Sequence, residues 1–163
     1  MDHLWSPWRL SYVTGSARGT GCVFCDAASG RDEALVVYRG ATSFVILNKF
    51  PYNNGHLMVV PNRHIATLGE ANGDELAEIM TLASRAERAI RQAYEPHGLN
   101  MGINLGKPAG AGILDHLHMH VVPRWNGDTN FMAVLGDVRV IPEGLDKVYV
   151  RLKEVAAMMG LPK

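Results

Sequence analysis

Three histidines at alternate positions of an apolar run constrain this chain more than any other feature. They are His116, His118 and His120, in the run DHLHMHVVPR that begins at Asp115. Successive side chains of an extended strand point to opposite faces, so the three imidazoles share one face and apolar side chains share the other. A lone strand histidine is usually structural. Three in register predict a reactive surface instead, because imidazole serves as nucleophile, base, donor or metal ligand near neutral pH.

An affinity tag or a metal site could also produce a run of histidines. A tag is excluded, because tags lie at chain termini and lack the apolar residues that separate these histidines. A metal site made of all three histidines remains an alternative.

Length and charge restrict the class of protein. The chain has 163 residues, of which 47% are hydrophobic and 20% charged, so we expect a single domain over residues 1–163. The 16 basic and 16 acidic residues cancel, which predicts no nucleic-acid partner and no membrane partner but permits a small anionic ligand. No stretch reaches the roughly 18 apolar residues that span a bilayer, and no secretion signal is present, so we expect a cytoplasmic protein.

The order of the predicted elements indicates an α+β fold. Clusters of β-branched and aromatic residues predict five strands, at residues 34–38, 42–47, 56–61, 99–105 and 114–122. A long helix capped by Asn72 or Asp74 separates the third strand from the fourth, and Pro96 ends it. This order favours a five-stranded, mainly antiparallel sheet over a doubly wound nucleotide fold.

The two ends of the chain differ from its middle. Residues 1–20 are predicted to form an irregular arm. Residues 133–163 form a C-terminal extension, in which apolar residues at helical spacing predict an amphipathic helix from Leu145 to Met159.

Cys22 and Cys25, the only cysteines, have the spacing of a metal-binding pair. Two intervening residues allow both sulfurs to bind one tetrahedral zinc ion, and histidines can supply the two further ligands that zinc needs. The alternative is a redox pair, although that motif normally opens a helix beside a βαβ unit, which is not predicted here.

The middle histidine best meets the requirements of a nucleophile that attacks phosphorus. Such a residue needs an unprotonated attacking nitrogen, a held second nitrogen, and donors for the non-bridging oxygens. His118 has a histidine two residues away on each side, about 6.5–7 Å along a strand, so a phosphate could bridge His118 and His120. A loop rich in small residues precedes this strand, from Asn104 to Leu114. Backbone N–H groups at its glycines can hold phosphate oxygens, although such a loop is also a common turn.

Together these motifs resemble the histidine triad family of nucleotide-binding and nucleotidyl-transfer proteins, over residues 5–132. The resemblance implies that His118 is the nucleophile, that it forms a covalent nucleotidyl-histidine, and that His120 contacts the phosphate. His116 is then the first triad histidine.

The resemblance also implies the other site residues. The family's ribose-binding position corresponds to Asn48, and a histidine close to the triad corresponds to His56. The implied phosphate contacts lie in the small-residue loop, at Asn104, Gly110, Ala111 and Gly112. In zinc-bearing members of the family, the third metal ligand is a histidine at the position of His64, and the fourth is the first triad histidine, here His116. This implies a closed structural zinc held by Cys22, Cys25, His64 and His116, with no organic cofactor.

Residues 4–9 (LWSPWR), the cysteine pair and residues 120–132 resemble one bacterial branch of this family. That branch splits diadenosine tetraphosphate with inorganic phosphate into ATP and ADP. Lys49, Lys107 and Arg124 are candidate cations for the acceptor phosphate. The same intermediate could instead serve a dinucleoside polyphosphate hydrolase or a nucleoside phosphoramidase, and a non-catalytic nucleotide sensor is the alternative from another class. The family also implies a homodimer, for which the strand at 99–105 looks suited as a sheet edge.

Overall fold

A five-stranded antiparallel sheet forms the centre of the fold. The computed structural model describes residues 21–128 and 141–162. The strands, in chain order, are β1 Val36–Arg39, β2 Ser43–Leu47, β3 Leu57–Pro61, β4 Gly98–Ile103 and β5 Met119–Arg124. They lie in the order β1-β2-β3-β5-β4, and each neighbouring pair is antiparallel. The predicted α+β class and sheet are therefore confirmed. The predicted arm over 1–20, residues 129–132 and the start of the predicted extension lie outside the described residues.

The described residues form three α-helices beside the sheet: α1 Val23–Ala28, α2 Gly73–Tyr94 and α3 Leu145–Met158. Of the two predicted caps of α2, Asn72 is the one used. Its Oδ1 accepts the Glu75 N–H at 2.9 Å, and the Glu75 carboxylate accepts the Asn72 N–H at 2.9 Å. The helix ends at Tyr94, and Glu95 adopts a left-handed conformation with φ 46°. No helix within the described ranges is long and apolar enough to cross a membrane.

The two faces of the sheet carry different side chains. Helices α2 and α3 pack on one face and bury the main core, which includes Val45, Val59, Leu82, Leu117, Val121 and Leu152. Helix α1 covers part of the other face with a smaller cluster that includes Phe24, Phe44, Met58 and Val60. His120 lies opposite Met58 in the β3–β5 register, so the histidines lie on the face away from α2. The predicted division of the run into an apolar face and a histidine face is confirmed.

The fifth strand begins later than predicted. The sequence pattern predicts Leu114, whereas ladder pairing begins at Met119, opposite Val59. The next position of β3 that could donate to this ladder is Pro61, which has no N–H, and the pairing therefore stops. The Pro61 carbonyl instead accepts a hydrogen bond from His116 Nε2 at 2.9 Å. His116 and His118 thus precede the strand. On the other side of β5, β4 ends at Ile103, which pairs with Met119.

Candidate active site

A backbone carbonyl fixes the proton of His118. Nδ1 of this ring lies 2.8 Å from the carbonyl oxygen of His116, and because a carbonyl only accepts, Nδ1 must carry the proton. The lone pair of the neutral ring is therefore on Nε2. Burial lowers the pKa of His118, and the bond to the His116 carbonyl offsets only part of that effect. His118 is thus held neutral near pH 7, with Nε2 available as a nucleophile.

His120 presents a nitrogen that lacks a partner in the part of the protein that the structure describes. Its ring lies 4.9 Å from the His118 ring, measured between centroids, and its Nδ1 lies 2.9 Å from Nε2 of His56. The other nitrogen, Nε2, is buried and makes no hydrogen bond to the described residues. A buried polar group without a partner costs about 1–3 kcal/mol. A ligand oxygen between the two rings would remove that cost.

His56 lies behind His120 rather than at the ligand. It is fully buried, its Nδ1 accepts the Tyr52 N–H at 3.0 Å, and its Nε2 bonds to His120. Both ring nitrogens are therefore used within the protein, whereas the sequence predicted a contact with nucleotide or phosphate. Asn48 also serves its own loop, because its Oδ1 accepts the Phe50 N–H at 2.9 Å and its Nδ2 lies 3.3 Å from His56 Nδ1.

The small-residue loop connects β4 to the histidine segment. Since β4 and β5 are neighbours, the loop leaves the sheet and returns beside the triad. The Gly110 N–H donates to the Lys107 carbonyl at 3.0 Å, and the Ala111 N–H donates to the Gly106 carbonyl at 3.3 Å. These two amides of the predicted phosphate loop therefore close a turn with backbone carbonyls. The Gly112 amide has no acceptor among the described residues. Asn104 Nδ2 lies 3.7 Å from the position that a Cβ would take at Gly110.

Three residues beside the triad had no predicted role. Phe24 packs its ring 5.4 Å from His116 and 5.2 Å from His118. Tyr52 stacks on His120, with centroids 5.4 Å apart and an interplanar angle of 27°. Gly102 lies opposite His120 in β4, and a Cβ there would meet nothing within 4 Å. Phe24 lies inside the Cys-x-x-Cys spacing and Tyr52 four residues before His56, but only the packing reveals what they face.

Four side chains from three parts of the chain form a cluster that could hold a metal ion. The ligand atoms of Cys22, Cys25, His64 and His116 all lie within 4.8 Å of one another. His116 Nδ1 lies 3.2 Å from Cys22 Sγ and 3.7 Å from Cys25 Sγ, and His64 Nδ1 lies 3.2 Å from Cys25 Sγ. Zinc–sulfur and zinc–nitrogen bonds of about 2.3 and 2.0 Å separate tetrahedral ligands by about 3.5 Å, in agreement with these distances.

A hydrogen bond from outside the metal site also fits zinc. His116 Nε2 bonds to the Pro61 carbonyl at 2.9 Å, so Nε2 carries the proton and the Nδ1 lone pair faces the sulfurs. Two thiolates and two imidazoles form a closed ligand set, which suits a structural zinc ion without a position for water. The four residues named from the sequence are therefore brought together.

Arg124, one of the candidate cations for the acceptor phosphate, forms an ion pair with a neighbouring carboxylate. Its guanidinium forms two bonds of 2.7 Å to the carboxylate of Asp128, and its Nη1 donates to Asn100 Oδ1 at 2.9 Å. The charge of this candidate cation is therefore paired within the protein. Lys49 and Lys107 are exposed.

The buried imidazole of His120 should make folding stability depend on pH. Burial, with a smaller effect of charge on His118, lowers the pKa of His120 to about 4. The unfolded chain then takes up a proton near pH 6.5 that the folded chain takes up only near pH 4, so this contribution to stability falls as pH falls through that window. Between pH 7 and pH 5 we expect a loss of about 2 kcal/mol from this group.

Chemical denaturation of the parent and of His120→Gln at both pH values tests this expectation. Burial also lowers the pKa values of His116 and His118, so only the difference between parent and variant reports on His120. Equal losses in the two proteins would contradict the prediction.

The site thus combines a neutral His118, with its lone pair on Nε2, and a buried His120 whose Nε2 has no partner among the described residues. The family model described as HIT domain matches residues 29–127, and the chain belongs to this family. The named AP-4-A phosphorylase of Mycobacterium tuberculosis is 41% identical, across 88% of this chain and 78% of that protein. The fold and these relatives make the protein a nucleotide-processing enzyme of the HIT type.

Solved structures show the same fold. A Zn-bound histidine triad family protein from Mycobacterium smegmatis is 31% identical with a TM-score of 0.71, covering 86% of this chain and 96% of that chain. Diadenosine triphosphate hydrolase of Plasmodium falciparum, in complex with Cyclomarin A, is 16% identical with a TM-score of 0.63, covering 79% of this chain and 78% of that one. At that identity the likeness shows the fold alone.

Proposed function

We propose that this protein transfers a nucleotidyl group through His118 and that its reaction is the phosphorolysis of diadenosine tetraphosphate to ATP and ADP. The observation that carries the proposal is the distance of 2.8 Å between His118 Nδ1 and the His116 carbonyl oxygen, because this contact requires the proton on Nδ1. This leaves the Nε2 lone pair as the attacking group. The branch assignment is supported by the 41% identical AP-4-A phosphorylase.

The proposed reaction has two displacements at one phosphorus atom. His118 Nε2 attacks the α-phosphorus of one adenosine, a P–N bond forms, and the P–O bond to the rest of the substrate breaks, with ATP leaving with the electron pair. Inorganic phosphate then attacks the adenylyl group, the P–N bond breaks, and ADP forms. In the first step positive charge develops on the imidazole, and the His116 carbonyl stabilises it through Nδ1–H.

Other groups bind the substrate in this proposal. His120 Nε2 and the Gly112 amide are the unpartnered groups of the triad and loop among the described residues, and both suit non-bridging phosphate oxygens. Asn48 and Asn104 remain proposed nucleotide contacts, while Gly110 and Ala111 shape the turn that presents Gly112. Lys49 and Lys107 are the candidates that offset repulsion between the acceptor phosphate and the adenylyl group.

The identity of the products decides between phosphorolysis and hydrolysis. Diadenosine tetraphosphate with labelled inorganic phosphate should give labelled ADP and unlabelled ATP, because the acceptor oxygen comes from phosphate. The matched control omits phosphate, and the rate should then fall by an order of magnitude or more. AMP plus ATP at a rate indifferent to phosphate would establish a hydrolase that uses the same His118 chemistry. Tight nucleotide binding without turnover would indicate a sensor.

We also propose a structural zinc ion in the site of Cys22, Cys25, His64 and His116. It would join the turn after β3 to α1, and it would hold His116, whose carbonyl orients His118. The Zn-bound relative and the ligand spacing support this assignment. Free thiols at both cysteines agree with a cytoplasmic location, where thiols stay reduced.

A homodimer is the proposed assembly. The prediction that the strand near Leu99 lies at a sheet edge is confirmed, since β4 is an outer strand. An outer strand exposes backbone groups that can pair with a second copy of the chain. Met101 on β4 and Met80 on α2 expose 38% and 59% of their surface, so they offer apolar area that a dimer could bury. Sedimentation at micromolar concentration should give a dimer, and Met80→Lys should weaken it. A monomer across that range would refute this assembly.

A further inference from the structure

The triad places two neighbouring imidazoles in opposite protonation patterns. His118 has its proton on Nδ1, because its acceptor is the His116 carbonyl at 2.8 Å. The pattern on His120 follows from a second fixed backbone group, the Tyr52 N–H. This amide can only donate, and it points at His56 Nδ1 from 3.0 Å.

The proton positions of His56 and His120 follow in turn. Since His56 Nδ1 accepts from Tyr52, the neutral ring carries its proton on Nε2. That Nε2–H donates to His120 Nδ1 at 2.9 Å. His120 Nδ1 is then an acceptor, and the remaining proton of the neutral ring lies on Nε2, the buried atom without a partner within residues 21–128 and 141–162.

We propose that His56 is a positioning residue that fixes His120 as an Nε2–H donor beside the lone pair of His118. The backbone at Tyr52 and at His116 thus sets a donor and a nucleophile side by side. His56 is fully buried and His120 is 8% exposed, so solvent does not compete for these bonds. The ligand for the donor is a non-bridging oxygen of a phosphoric anhydride. The binding of a phosphate oxygen by His120 rests on the proposed function, whereas the positions of the protons on His118 and His120 do not.

The chain of bonds also orients the ring. Tyr52 stacks on His120 with centroids 5.4 Å apart and lies 4.7 Å from His56. A ring held by stacking and by one hydrogen bond at Nδ1 cannot flip without breaking that bond. His56 therefore controls both the proton and the direction of Nε2, although it does not touch the substrate.

Nitrogen NMR of the resting protein tests the proton pattern directly. Uniformly ¹⁵N-histidine-labelled protein, studied with its metal as purified, should give a protonated Nε2 and an unprotonated Nδ1 for His120, and the reverse for His118. Loss of signals in His120→Gln and His118→Ala assigns the two rings among the 7 histidines. A proton on Nδ1 of His120 in the parent protein would overturn the proposal, whatever reaction the enzyme catalyses.

Two variants at His56 test the catalytic consequence. The amide of His56→Gln can donate to His120 and accept from Tyr52, whereas His56→Leu can do neither. We expect kcat to fall about 10- to 100-fold in His56→Leu with KM changed less than about threefold, and His56→Gln to recover most of kcat. In His56→Leu the two nitrogen shifts of His120 should also move towards each other as the ring exchanges protonation patterns.

Equal kcat for Gln and Leu at position 56, with folding of both confirmed by their spectra, would contradict a positioning role. If His56→Leu does not fold, the spectrum of the parent still decides the proton pattern, and His56→Gln against the parent decides the donor role. Failure of phosphorolysis with the expected NMR pattern would refute the proposed function and leave this inference standing.

Discussion

His118→Ala should abolish turnover while leaving the fold and much of the nucleotide affinity. The substitution removes the atom proposed to attack phosphorus, and the unpartnered groups at His120 Nε2 and Gly112 remain to bind the phosphate. We expect the rate to fall on the order of 10³-fold or more, because removal of a nucleophile eliminates the covalent route. Initial rates of product formation from diadenosine tetraphosphate provide the measurement.

A matched control is available on the surface of the protein. His97→Ala removes an exposed imidazole whose contact is the Asn126 N–H at 2.9 Å, and it should retain the parent rate. Rapid acid quench of the parent followed by peptide mass spectrometry should locate an adenylyl group on His118. Near-normal turnover of His118→Ala, or an adduct on another residue, would refute the covalent mechanism.

Cys22→Ser should release the metal and lower stability. It replaces a thiolate with a hydroxyl, which binds zinc poorly, and structural zinc sites contribute folding free energy directly. We expect about one zinc per chain in the untagged parent, little in the variant, and a loss on the order of several kcal/mol in the free energy of unfolding. Metal analysis and thermal unfolding measure both effects.

Val23→Ser is the matched control for the metal site. Val23 lies between the two cysteines, is 54% exposed and supplies no ligand atom, so it should keep the zinc and nearly all of the stability. A parent protein without bound zinc, or a Cys22→Ser variant as stable as the parent, would count against the structural role. Because the His116 carbonyl holds His118, loss of the metal should also lower kcat.

Local patterns in the sequence were enough to predict the helices and strands and the face that carries the three histidines. The alternation around His118 predicts which side chains share a face, and this holds although the ladder starts only at Met119. The cap of α2 at Asn72 and its end before Pro96 follow from groups within a few residues. Such features depend on backbone geometry over short distances, which the residue order fixes.

Local sequence patterns could not predict which groups contact the histidines. His56 and His120 are 64 residues apart, and nothing in their local sequence tells whether His56 faces a phosphate or another ring. The same is true of Phe24, whose ring packs against His118. Both contacts depend on how elements that are distant in the chain pack together.

The sequence by itself thus determined the fold class, the face that carries the triad and the residue types of a metal site, since periodicity and spacing are properties of the chain. The tertiary structure decided that Cys22 meets His116, 94 residues away, and that Pro61 ends the ladder and holds His116. It also decided where the protons of His118 and His120 lie. A proton on imidazole goes to the nitrogen that faces an acceptor, and only the folded backbone sets which groups face each ring.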